Sequence, residues 1–173
     1  MPTIFSHTAI PVAIALGAKH ISPRLLIAGM VASIAPDMDV TAFRFGIAYS
    51  HAFGNRGFSH SLVFALMLAI IAALFAPELR TKRMIAFVFI FVATASHGLL
   101  DMFTNGGLGV ALFWPFTDAR YFFPVRMIDV SPIGLRGFLG QAGIRALKSE
   151  LLWIWLPALM LGVAVYLRRR HSR

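Results

Sequence analysis

Five apolar runs set the plan of this chain: Ile4 to Ala18, Leu25 to Ala35, Leu62 to Ala76, Met84 to Leu100 and Leu151 to Leu167. Continuous apolar runs at the lower edge of what crosses a bilayer, at about 1.5 Å per residue, predict membrane helices. Polar punctuation separates them. Lys19-His20 ends the first run, Pro77 to Arg83 forms a short basic turn after the third, and Arg168-Arg169-Arg170 stops the fifth. Ser6 is placed to cap the first helix. Pro36 stops the second, since the residue before a proline disfavours helix, and it leaves Asp37-Met38-Asp39 on a turn where both carboxylates can meet one point.

Met102 to Glu150 is the longest stretch that does not span. Trp114-Pro115-Phe116 and Tyr121-Phe122-Phe123-Pro124 predict backbone lying at the membrane interface. From Ala142, apolar Ile144, Leu147 and Leu151 oppose Arg145, Lys148 and Glu150, predicting an interfacial amphipathic helix that leads into the last span. The fold expected is all-α: a polytopic helical membrane protein of about four to five membrane segments plus that interfacial helix. It is one membrane-embedded domain, with a hairpin over 4–40, a second over 58–101, an interfacial connection over 102–150, a span over 151–167 and a basic tail over 168–173.

Composition agrees. Of 173 residues 58% are hydrophobic and only 13% charged, with mean hydropathy +0.77, whereas a soluble domain carries about a quarter charged residues. Cysteine is absent, which excludes a disulfide framework and thiolate ligation and leaves nitrogen and oxygen donors for any metal. The net charge of +9 is strung between apolar runs and at the tail. It reads as membrane-flanking charge, with no soluble basic domain for direct nucleic-acid binding. Met1 to His20 lacks the basic start of a secretory signal and is read as mature structure.

The chemistry concentrates at helix ends. His97-Gly-Leu-Leu-Asp101 closes the fourth run, and residues four apart on a helix project from one face, a ready pair of metal ligands. An ionisable pair inside an apolar run costs several kcal/mol unless paired or ligated. A His and Asp satisfying one another is the simpler alternative. Phe5-Ser6-His7-Thr8 opens the first hairpin as Phe58-Ser59-His60-Ser61 opens the second, and each returns to an Asp-bearing end. With alternate helix ends facing alternate sides, His7, Asp37, Asp39, His60, His97 and Asp101 all fall on one side. Lys19, Arg24, Arg80, Lys82, Arg83 and the C-terminal arginines fall on the other, which is therefore expected to be cytoplasmic.

His7, His60 and His97 with Asp37, Asp39 and Asp101 suit Zn²⁺, with Mn²⁺ as the other choice, as one or two ions. Two metals clamp the oxygens of a phosphoester and lower the pKa of a bound water. An aspartate among 37, 39 and 101 left free of metal would act as general base. Arg56, four residues before His60, is placed to pair with a substrate phosphate, or else to anchor at headgroup level. His51 is a further ligand candidate beside the role of an ordinary loop histidine.

His7-Thr8, Pro36-Asp37-Met38-Asp39, Arg56-Gly57-Phe58-Ser59-His60-Ser61, Ser96-His97-Gly98-Leu99-Leu100-Asp101 and Trp114-Pro115-Phe116 together resemble the YdjM-type family of bacterial inner-membrane metal-dependent hydrolases, also called LexA-binding, on the side of its YbcI-like branch. The resemblance covers nearly the whole chain. It implies a multi-pass inner-membrane protein with hydrolase activity, and a LexA-type partner by family name alone. More distantly, the order His7, Asp37 or Asp39, His60, His97 with Asp101 is similar to that of the zinc-dependent phospholipase C and nuclease superfamily. The second His-x-x-x-Asp element of that superfamily does not follow Asp101 here, so a three-metal site is not expected.

The function expected is membrane-bound, metal-dependent hydrolysis of a phosphoester or lipid substrate by metal-activated water. The alternative is a metal-binding module or scaffold without turnover. A transporter is a third reading, disfavoured because the ligands fall at helix ends and not in mid-span.

Overall fold

The computed structural model describes residues 1–132 and 134–171. Its helices are α1 (Ala9–Gly17), α2 (Pro23–Ile34), α3 (Leu62–Leu74), α4 (Arg83–Met102), α5 (Leu135–Phe138), α6 (Gln141–Glu150) and α7 (Leu156–His171). Local chemistry starts them where expected. Ser22 accepts a hydrogen bond from the Leu25 amide with Pro23 in the first turn of α2, and Ser61 accepts from Phe64 at the start of α3.

Pro36 does not end the second helical run. The chain tightens into a 3-10 helix, Ala35–Phe45, that extends α2 and closes at Gly46 with φ 71°. Proline is tolerated there because it occupies the first turn of the tighter helix, where amides lack intrahelical partners. The expected loose turn is thus a helix, and at three residues per turn its residues two apart point about 120° away from one another. Asp37 and Asp39 consequently diverge.

Among the described residues, three helical stretches are long and apolar enough to cross a membrane: Pro23–Phe45, Arg83–Met102 and Gln141–His171. The first and third apolar runs give shorter helices, Ser6–Gly17 and Leu62–Leu74. The amphipathic segment and the last span are one continuous helix, joined by a π-helical turn at Leu151–Trp155. Glu150 does not stand on an exposed polar face as its pattern predicted. It is 1% exposed and accepts from the Thr3 amide at 2.6 Å and the Ser6 hydroxyl at 2.6 Å. Ser6 is therefore spent on Glu150 and on accepting from the Trp155 indole, and makes no side-chain cap on the first helix. The outward residues of α6, Ile144 and Leu147, are apolar and exposed. Arg168 to Arg170 continue α7, and residues 172–173 of the predicted tail lie outside the described residues.

α2 and α3 pack on α4, and α1 packs on α7. Leu25, Ala32, Ala72, Ala86, Phe89 and Ile90 form the core of the first group. Glycines permit the closest approaches: a Cβ on Gly29 would lie 2.3 Å from the Phe89 ring, and one on Gly162 would lie 2.9 Å from the Ala13 carbonyl oxygen. Outward positions such as Ile70, Leu74, Met160 and Leu161 are large, apolar and exposed, as lipid contact favours. The two hairpins α1–α2 and α3–α4 bring the start of α1, the end of α2, the start of α3 and the end of α4 to the same end of the bundle.

Candidate metal centre

At that end the chain buries a polar cluster. His7 sits in the 3-10 turn Ser6–Thr8 that opens α1, Asp37 in the extension of α2, His60 in the 3-10 turn Phe58–His60 before α3, and His97 with Asp101 on α4. His7, His97 and Asp101 are wholly buried, His60 is 3% exposed and Asp37 6%.

Two hydrogen bonds fix how the rings present themselves. His97 Nδ1 lies 2.7 Å from the Ser33 carbonyl oxygen. A carbonyl only accepts, so Nδ1 carries the hydrogen and Nε2 is left with a lone pair. His60 Nδ1 faces the Asp39 carboxylate at 3.1 Å and the Ser59 hydroxyl at 3.1 Å, which likewise turns Nε2 inward. The two Nε2 atoms meet at 3.0 Å. Two lone pairs at that distance repel unless a proton or a cation stands with them.

The carboxylates close around the same point. Asp101 Oδ2 is 3.3 Å from His60 Nε2, Asp37 Oδ1 is 3.5 Å from His97 Nε2, and His7 Nε2 is 3.8 Å from both Asp37 Oδ2 and Asp101 Oδ1. His7 stacks on His97 with centroids 3.6 Å apart. Both ring nitrogens of His7, Asp37 Oδ1 and Asp101 Oδ1 are buried without a hydrogen-bond partner. Orphaned polar atoms of this kind are rare in folded proteins.

These residues fit a divalent cation. Ligands at about 2.1 Å in tetrahedral array stand about 3.4 Å from one another, and the separations here run from 3.0 to 3.8 Å. His7, His97 and Asp101 make one triad able to hold an ion, and Asp37, His60 and His97 another.

Asp39 and Arg56 occupy an outer layer. Asp39 accepts from the Arg56 amide at 2.9 Å, the Ser59 hydroxyl at 2.7 Å and the Asn55 side chain at 3.1 Å. It belongs to neither triad. Arg56, expected to meet a phosphate, points inward and is wholly buried. It donates to the Thr104 hydroxyl and the Gly106 carbonyl, each at 2.8 Å, and its Nε stands 2.9 Å from Asp101 Oδ2. Its backbone has φ 60°, a conformation uncommon for a residue with a side chain and one that marks strained functional segments. The apolar surroundings reward an arginine that neutralises Asp101 and leave no donor facing outward. His51 stands outside the cluster, exposed, with its Nδ1 accepting from the Phe53 amide.

Sequence reasoning missed Ser33, whose carbonyl orients His97, because a backbone acceptor leaves no trace in residue identity. It also missed Gly98. A Cβ there would lie 2.7 Å from the His60 carbonyl oxygen, so this glycine lets α4 approach the His60 turn. Asp37 borders a surface groove of about 350 Å³ that leads off the cluster.

Apolar helices enclosing convergent histidines and aspartates define a helical membrane protein with a buried, metal-competent polar centre. The chain belongs to the YdjM inner membrane protein family, which matches residues 1–171. It is 42% identical over 173 residues to inner membrane protein YbcI of Escherichia coli (strain K12), covering 98% of this chain and 100% of that protein. No solved structure matches it.

Proposed function

We propose that this protein is a membrane-bound metal-dependent hydrolase of phosphoesters at the bilayer interface, holding one or two divalent ions, Zn²⁺ or Mn²⁺. The observation that carries the reading is the pair of inward Nε2 atoms of His60 and His97 at 3.0 Å, with the carboxylates of Asp37 and Asp101 at 3.5 and 3.3 Å from them. Absence of cysteine and a mixed imidazole and carboxylate donor set favour those two metals. A metal bound there supplies Lewis acidity to a phosphoryl oxygen and a lowered pKa to water.

The chain's own residues do the rest. His7, His60, His97 and Asp101 hold the ion or ions. Asp39 and the Ser33 carbonyl keep two of the rings turned inward. Asp37, which borders both the cluster and the groove, is positioned to accept a proton from water as general base. Arg56 balances Asp101 within the protein and does not bind substrate.

The membrane is the bacterial inner membrane, as the names of the family and of its Escherichia coli relative state for those proteins. The end of the bundle carrying Lys19, Arg80, Lys82 and the α7 arginines, with the C-terminus, faces the cytoplasm, following the bias of basic residues to that side. The test is hydrolysis of phosphomonoester, phosphodiester and phospholipid substrates by the Zn²⁺- or Mn²⁺-loaded protein in lipid nanodiscs. Metal-dependent turnover abolished in Asp37→Asn supports the reading. Stoichiometric metal without turnover on any of the three classes contradicts the hydrolase and leaves a metal-binding module.

A further inference from the structure

The groove beside Asp37 is lined by the segment Met1 to Phe5, by Asp37 and Val40, and by Ser131, Pro132, Gly134 and Phe138. Asp37 is the one acidic side chain among these, and Pro2, Ile4, Phe5, Val40, Pro132 and Phe138 are apolar. The lining is thus mostly apolar and suits hydrocarbon, and it meets the metal centre at Asp37. The Asp37 Oδ1 atom is buried and lacks a hydrogen-bond partner.

The walls are fixed in place. The Ser131 amide donates to the Met1 carbonyl at 2.9 Å, and buried Glu150 accepts from the Thr3 amide at 2.6 Å. Such a preformed site orders little chain when it fills, which favours binding. Of the lining, Ile4 and Phe5 are exposed apolar side chains, and so are Met38 and Leu139, the chain neighbours of Asp37 and Phe138.

We propose that this groove holds the acyl chain of a membrane phospholipid, so that the substrate is an amphiphile reaching the centre from the bilayer. This rests on the reading of the cluster as a metal centre. An acyl chain along the groove sets the phosphoester at its end beside Asp37, His7 and His97. A water-soluble phosphoester gains nothing from the apolar walls, whereas each buried methylene contributes about 0.8 kcal/mol, near fourfold in affinity.

The experiment uses the full chain loaded with Zn²⁺ in nanodiscs containing phosphatidic acid with a diazirine at the tip of one acyl chain. After illumination, labelled residues are read by mass spectrometry, and metal content is measured on the same sample. Label concentrated on Ile4, Phe5, Val40 or Phe138, and reduced at least tenfold in Val40→Trp with metal content unchanged, is the expected result. Label no denser there than on the outward residues Ile70 and Leu161, or unaffected by Val40→Trp, overturns the proposal. Bound metal without groove labelling overturns the groove assignment alone. Groove labelling with no bound metal overturns the metal reading while the groove stands.

Discussion

His60 Nε2 and His97 Nε2 stand 3.0 Å apart, although each ring already spends its Nδ1 hydrogen elsewhere, His60 on Asp39 and His97 on the Ser33 carbonyl. That relationship commits both rings to receive something between them. On the proposed reading a proton takes the place in the metal-free protein and an ion would take it when metal binds.

Asp39 acts through His60. Replacing it in Asp39→Ala frees the ring to turn and should weaken metal affinity by roughly 10–100-fold, the effect typical of removing such an orienting partner, while Asp101→Ala removes a ligand and should cost more. Metal titration of both variants checks the order. Equal losses would place Asp39 among the ligands.

Arg56 is buried against Asp101 with its other donors on Thr104 and Gly106. Arg56→Ala leaves a buried carboxylate uncompensated and should destabilise the metal-free protein by about 3–5 kcal/mol. Thermal unfolding in detergent measures this. A variant as stable as the wild type would show that Arg56 is a surface anchor, as its sequence position also allowed.

His60 carries the pH dependence. Burial opposes its charge, but hydrogen bonds and attraction from Asp101 and Asp39 outweigh it and raise its pKa from 6.5 to about 9. The folded value exceeds the unfolded one. The protonated ring therefore stabilises the metal-free protein fully below pH 6.5, and that contribution is lost as pH rises through about 9. Metal must displace the same proton, so apparent metal affinity should rise up to about tenfold per pH unit towards pH 9. Titrations at pH 6.5, 7.5 and 8.5 that gave one affinity would contradict this assignment.

Gly98 should tolerate no side chain. The added methyl of Gly98→Ala meets the His60 carbonyl at 2.7 Å, and the contact is with backbone, which gives way only by moving the His60 turn. Overpacking of this kind costs about 1–3 kcal/mol. The unfolding midpoint and metal affinity should fall together, and a change in neither would mean that the α4 contact with that turn is loose.

Much of this centre was legible in the chain. Apolar runs with His or Asp at their ends are enough to place His7, Asp37, His60, His97 and Asp101 at one end of a bundle, because alternation of spans is a property of the covalent order. What escaped depends on geometry finer than a residue name. Pro36 opens a 3-10 helix as readily as it closes an α-helix, so the divergence of Asp37 and Asp39 was invisible. Arg56 and Glu150 have the charge of surface residues, and only the partners that surround them, Asp101 for one and Thr3 with Ser6 for the other, explain their burial. Around α6, Ile144, Leu147, Arg145 and Lys148 are all exposed, as an interfacial helix places them, and of the six pattern positions Glu150 is the one that turns inward.

The most direct test of the central claim is elemental analysis of the detergent-purified protein beside His97→Ala and Asp101→Ala. About one or two Zn or Mn per chain in the wild type, lost in both variants, is the predicted result. Wild-type protein that remains far below one ion per chain after Zn²⁺ and Mn²⁺ are supplied would contradict it. The cluster would then be an ion-pair network closed by the proton on His60.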